Sequence, residues 1–194
     1  MKEALTTWIL KLMIMLAPST PWRETYRATA EAFATSAVES PLFGGLSGSA
    51  KTAALYVSLG WFEASLRADA EGDCTDKAGK PVASVGGRCP EGATPHAFCI
   101  FQIDRTNLAG LGLTRDIIQS DVSACVRAGN MMMHRSFAMC RSKPTDDRLA
   151  WYAAGGPTCA DRGSIESRHR MAKASWLFRT SPPPDEALDL GYTR

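Results

Sequence analysis

A chain of 194 residues, 45% of them hydrophobic, can bury a substantial core, and one domain with terminal appendages is the simplest organisation. The formal net charge of +2, with no run of Lys/Arg and no basic patch interleaved with aromatics, excludes a dedicated nucleic-acid binder. Six cysteines (Cys74, Cys89, Cys99, Cys125, Cys140, Cys159) without a C-x-x-C pair, and three histidines (His96, His134, His169) not spaced as ligands beside them, argue for disulfides in an oxidising compartment rather than a zinc site.

Leu5, Trp8, Ile9, Leu12, Met13 and Leu16 trace one helical face near the N-terminus. Lys11 interrupts the apolar stretch 4–17 and Pro18 suits a cleavage point poorly. The stretch therefore reads as a retained amphipathic helix rather than a signal peptide, packing on the domain or against a membrane or partner. A second helix is expected over about 22–39, ended by Pro41 and the glycines of 44–48.

Residues 49–67 carry Leu55, Leu59, Phe62 and Leu66 at helical spacing, with Glu63 on or at the margin of that stripe. A carboxylate there is costly to desolvate. It either retains a proton that it can donate near neutral pH, or pairs with a buried Arg, or turns to the surface. Residues 70–97, with Gly, Pro, Asp and two Cys and no sustained period, read as a long surface excursion stapled by Cys74–Cys89 with a small hairpin. A short strand is expected over Ala97–Ile103.

Asp121 is positioned to cap a long helix in which Val122, Cys125, Val126, Gly129, Met132, Met133, Phe137 and Cys140 recur at helical spacing, the Met cluster being core. In one continuous helix Cys125 and Cys140 lie about 22 Å apart, beyond disulfide reach. With Cys74–Cys89 set aside, the pairing of the other four cysteines stays open. Lys143-Pro144 ends the helix, a shorter one follows over Asp146–Ala154 with Gly155-Gly156-Pro157 as its stop, and a last helix covers about 161–178. The tail from Thr180, with its three consecutive prolines, reads as extended and solvated. The expected organisation is an N-terminal helical extension (1–48), a main domain (49–179) and a Pro-rich tail (180–194). The expected fold class is mainly α with a small β element, disulfide-stapled.

The order of Phe62-Glu63-Ala64-Ser65 on a helix, Phe101-Gln102-Ile103 on a strand, a long Ala/Met helix, and Leu149-Ala-Trp-Tyr-Ala-Ala-Gly155 resembles the SLT-type lytic transglycosylases of the lysozyme-like superfamily. The resemblance spans roughly 50–175. It implies a lysozyme-like fold, no metal or other cofactor, and cleavage of the glycan strands of peptidoglycan with formation of 1,6-anhydromuramyl ends. Glu63 matches the family's single catalytic Glu; Gln102 and Tyr152 match residues that hold substrate by directed hydrogen bonds. Ala64 stands where the family usually has Ser, Cys99 where it has Gly, and Ala153 where it has Asn, and the excursion at 70–97 is long for its position. Similar domains occur in phage lysins, virion proteins and secretion-system accessory enzymes. The resemblance thus implies an extracytoplasmic or virion setting, with a virion or secretion-apparatus partner for the N-terminal helix or the tail.

Asp69 and Asp73 keep open a hydrolase resembling goose-type lysozyme, which holds carboxylates in the loop after its Glu. The missing Asn beside Tyr152 keeps open a non-catalytic wall-binding or virion-structural protein. Ser65 and Ser164 lack a Gly-x-Ser-x-Gly setting, which leaves nucleophilic serine chemistry without support.

Overall fold

A computed structural model describes residues 2–154, 159 and 161–188. The fold is mainly helical, with a small three-stranded sheet and three disulfides, as the sequence leads one to expect.

Helix α1 (Lys2–Leu16) buries Leu5, Trp8, Ile9, Leu12 and Met13, the expected face, against α2 (Tyr26–Glu39) and α3 (Gly48–Ala64). Helix α2 contributes Tyr26, Ala30, Phe33, Ala34 and Ala37 to the same core. Helix α3 is the central element. From Gly48 to Gly60 it is buried almost all round, because small residues alternate with Leu55, Tyr56, Val57 and Leu59 and admit neighbours on every side. It stops at Ala64, where Ser65 and Leu66 turn into the left-handed region at φ 49° and 64°. Two details differ from the expected stripe. Leu66 is buried but lies beyond the helix end, and Phe62 is 39% exposed rather than part of the core.

The excursion after α3 contains β1 (Glu71–Gly72), which pairs antiparallel with β2 (Ala97–Phe98), and β2 pairs with β3 (Ile103–Asp104) in the order β1-β2-β3. The expected single strand over 97–103 is therefore a hairpin. Cys99 (φ 64°) and Gln102 (φ 48°) reverse the chain, and the Gln102 N–H donates to the Cys99 carbonyl at 3.1 Å. The Cys74–Cys89 staple forms as expected. The excursion is also held by charge. Asp69 pairs with Arg67 at 2.8 Å and with Arg88, while Glu71 accepts from Arg115 at 2.9 Å and Gln119 at 3.0 Å, both on α5 (Arg115–Ser120). Burial works against the charged form of both carboxylates, yet these donors hold each below its ordinary range. Between the sheet and α5 lies a short helix, α4 (Arg105–Leu108), capped by the Asp104 carboxylate through the Thr106 N–H at 2.7 Å.

Helix α6 (Val122–Met139) starts at the expected cap: Asp121 Oδ1 accepts from the N–H groups of Ser123 (2.8 Å) and Ala124 (3.1 Å). Its buried face holds Cys125, Val126, Met132 and Met133, whereas Met131 and Met139 are exposed. Cys125 bonds Cys99, tying α6 to the hairpin, and Cys140 bonds Cys159. The expected helix over 146–154 is split into a single turn at Thr145–Asp147 and α7 (Ala150–Ala154). The Leu149 N–H between them is taken by Ser167 Oγ at 3.0 Å, on α8 (Asp161–Thr180). The Gly155–Pro157 stop lies outside the described residues.

Over 181–188 the tail is solvated only in part: Pro182, Pro184, Asp185 and Glu186 are exposed, but the chain packs back on the domain. Ser181 and Ala187 are buried, α9 (Asp185–Leu188) packs on α1 and α3, and the Trp8 indole N–H donates to the Ser181 carbonyl at 2.7 Å. A buried indole needs an acceptor, and this carbonyl supplies it. Residues 189–194 lie outside the described residues. Among the described residues no helix is long and apolar enough to cross a membrane.

Candidate active site

A cleft of about 670 Å³ lies between the end of α3, the hairpin, α6 and α7, and Glu63, Gln102 and Tyr152 all line it. Asp73, Asp104, Arg135, Met132, Met139 and Trp151 complete much of its wall. The volume and the mixed polar and apolar lining suit a small or extended polar ligand.

Glu63 reaches the cleft because α3 ends one residue later and the chain turns away. Its side chain is 19% exposed, and the Arg170 guanidinium from α8 approaches its Oε1 with Nε at 2.9 Å and Nη2 at 2.8 Å. Burial pushes the Glu63 carboxyl above its ordinary range; Arg170 pulls the other way, and Glu166 and Asp73 add to the upward push. The net direction is upward, toward a carboxyl that keeps its proton. Two of the possibilities read from the sequence thus coexist at one residue: an acid with a raised pKa, and a partner for a buried Arg.

Gln102 is set by the hairpin. Its Nε2 donates to the Cys99 carbonyl at 2.9 Å, which spends one amide hydrogen locally and fixes the amide plane. Its Oε1 rests against Gly72 of β1, where a Cβ would collide with it. Beneath the hairpin, the Phe101 ring stacks on Phe33 at 5.5 Å and lies against Gly129 of α6, where a Cβ would likewise collide.

Tyr152 joins the two halves of the cleft. Its hydroxyl donates to the Phe101 carbonyl at 2.7 Å, and burial pushes the phenol well above its ordinary range, the Glu63 carboxylate adding to that. The residue therefore locks α7 to the hairpin. Beside it, Arg135 lies over the Trp151 ring at 4.9 Å.

The described non-glycine residues with positive φ are Ser65, Leu66, Asp73, Cys99 and Gln102. All five follow Glu63, line the cleft or begin the turn that carries Gln102. Backbone strain of this kind persists where surrounding structure over-determines it, and such sites cluster at functional centres.

Asp73 lines the cleft and Asp69 does not; the latter is committed to Arg67 and Arg88. The sequence reading did not single out Arg170 or Glu166. Their i, i+4 spacing on α8 is visible as a helix-surface ion pair, but nothing in the sequence places residue 170 against residue 63. A comparison with protein-family models, curated proteins and solved structures found no match.

Proposed function

We propose that this chain is a peptidoglycan lytic transglycosylase of lysozyme-like type that cleaves the MurNAc–GlcNAc β-1,4 bond with Glu63 as its single acid/base. The observation that carries this reading is the convergence of Glu63, Gln102 and Tyr152, far apart in the chain, on one cleft. The raised Glu63 carboxyl supports it further, because glycoside cleavage requires a proton donor at the leaving oxygen. Glu63 donates its proton to the glycosidic oxygen as the bond from that oxygen to the muramyl C1 breaks. The resulting carboxylate then takes the proton of the muramyl 6-hydroxyl as its oxygen bonds C1, which closes the 1,6-anhydro ring and restores the acid. No water is consumed. Gln102 presents its Oε1 to a sugar donor. Tyr152, through its bond to the Phe101 carbonyl, holds α7 against the hairpin that carries Gln102. The three disulfides support an extracytoplasmic setting, in the periplasm or cell wall or on a phage virion.

Two observations favour other readings. Asp73 on the cleft wall favours a hydrolase in which this carboxylate activates water. The Glu63–Arg170 pair favours a non-catalytic glycan binder, because a guanidinium opposes protonation of its partner. Mass analysis of muropeptides released from purified sacculi separates the three. Anhydromuramyl ends, lighter than reducing ends by one water, support the transglycosylase. Reducing ends support the hydrolase, and binding without soluble product supports the inert protein.

A further inference from the structure

Arg170 stands between two carboxylates and divides its donors unequally. Nε and Nη2 converge on Glu63 Oε1 at 2.9 and 2.8 Å, while Nη1 donates to Glu166 Oε2 at 2.6 Å and to the Glu166 carbonyl at 3.0 Å. The guanidinium lies over the Phe62 ring at 5.5 Å, and its side chain is 10% exposed. Ser58 Oγ donates to the Arg170 carbonyl at 2.7 Å, which fixes α8 against α3 at this residue. The Arg170 side chain is thus held by Glu63, Glu166 and the Phe62 ring, and its backbone by Ser58.

One cation with two carboxylates leaves a surplus negative charge if both are ionised. Glu166 is 44% exposed and solvated, while Glu63 is 19% exposed, so a retained proton belongs on Glu63. Both contacts of Arg170 to Glu63 fall on the same oxygen, which leaves Oε2 to carry that proton.

We propose that Arg170 and Glu166 are positioning residues of this site. Arg170 clamps Glu63 Oε1 so that Oε2 serves the substrate oxygen, and Glu166 satisfies the guanidinium so that Glu63 can remain protonated beside it. The inference rests on the reading of Glu63 as the acid. The directions of the two carboxyls agree with it: Glu166, hydrogen-bonded to Arg170, is held below its ordinary range, and Glu63 lies above its own. The other charged or titratable groups around the pair are Asp73 beside β1, Tyr152 on α7, and His169 and Arg162 near Glu166 on α8. Asp104 and Arg135 lie further along the cleft wall.

The test is a carbon-13 NMR titration of the Glu63 side-chain carboxyl in the full chain, run on wild type, E166Q and R170Q, together with turnover of sacculi as a function of pH. In E166Q the guanidinium charge falls on Glu63 alone, and the Glu63 midpoint moves down. In R170Q the charge is gone, and the midpoint moves up while turnover falls by ~10²-fold through loss of placement. The alkaline limb of the pH–rate profile follows each midpoint. A merely structural role for the pair would lower stability in both variants without moving the midpoints in opposite directions. Midpoints that stay together or move the same way overturn the proposal, and wild-type turnover then still supports the enzyme. Opposite movements with no wild-type turnover remove the enzyme reading and leave the pair as the device that tunes Glu63. E166Q lies at a partly solvated position, so it reports even if R170Q fails to fold.

Discussion

The disulfide between Cys99 and Cys125 closes a separation of 26 residues and ties the hairpin carrying Gln102 to α6. Replacing both cysteines with alanine releases that constraint. Alanine is the suitable substitute because both sites are fully buried, where a serine hydroxyl would add its own desolvation cost. The loop-closure relation for a separation of 26 gives about 3.5 kcal/mol at 25 °C. For a chain of this size that corresponds to a fall in Tm of roughly 7–14 °C, a large share of the ~5–15 kcal/mol that domains typically have. Calorimetry with urea unfolding measures the loss. Hydrogen exchange at Phe101, Gln102 and Ile103 shows whether it is concentrated in the hairpin. The matching pair of alanines at Cys74 and Cys89, a separation of 15, should cost about 3 kcal/mol while leaving hairpin exchange slow. A loss below ~1 kcal/mol for the Cys99/Cys125 variant, with hairpin protection unchanged, would refute the view that this bond holds the cleft wall in place.

Tyr152→Phe strips the Phe101 carbonyl of its donor and should destabilise the fold by roughly 1–3 kcal/mol in thermal unfolding; unchanged stability would return Tyr152 to a purely substrate-facing role. The Arg168–Asp147 pair, at 2.5 and 2.8 Å, keeps the Asp147 carboxyl below its ordinary value of 3.8. A carboxyl depressed in the folded state stabilises above its unfolded pKa, and that contribution is lost as pH falls through its folded pKa. The Tm difference between wild type and Asp147→Asn should therefore be full at neutral pH and narrow below about 3.8; a difference independent of pH would contradict the assignment.

Most of the helices were legible because their apolar faces keep a helical period, as Leu5 through Met13 and Val122 through Met133 do, and because Asp121 is a strong cap. The hairpin was not. Ala97–Ile103 is apolar but for Gln102, and the turn within it is made by the positive φ of Cys99 and Gln102, positions where the sequence shows no glycine. The tail misled for a different reason. Its prolines suggest an extended solvated segment, and the need of a distant Trp8 for a buried acceptor pulls Ser181 into the core. At the site, the helical stripe placed Glu63 near the core, and the order of the short motifs brought Gln102 and Tyr152 beside it. Arg170 lies 107 positions away, and its contact depends on the packing of α8 on α3, which no local pattern encodes.

Glu63→Gln, assayed beside wild type on purified sacculi, tests the centre of this reading most directly. The amide keeps the size of the side chain and has no proton to transfer. Turnover should fall by at least ~10²-fold with sacculus binding retained, while Asp73→Asn keeps most of the activity and the wild-type products carry anhydromuramyl ends. A Glu63→Gln protein that still releases muropeptides at the wild-type rate would contradict the assignment of Glu63 as the acid.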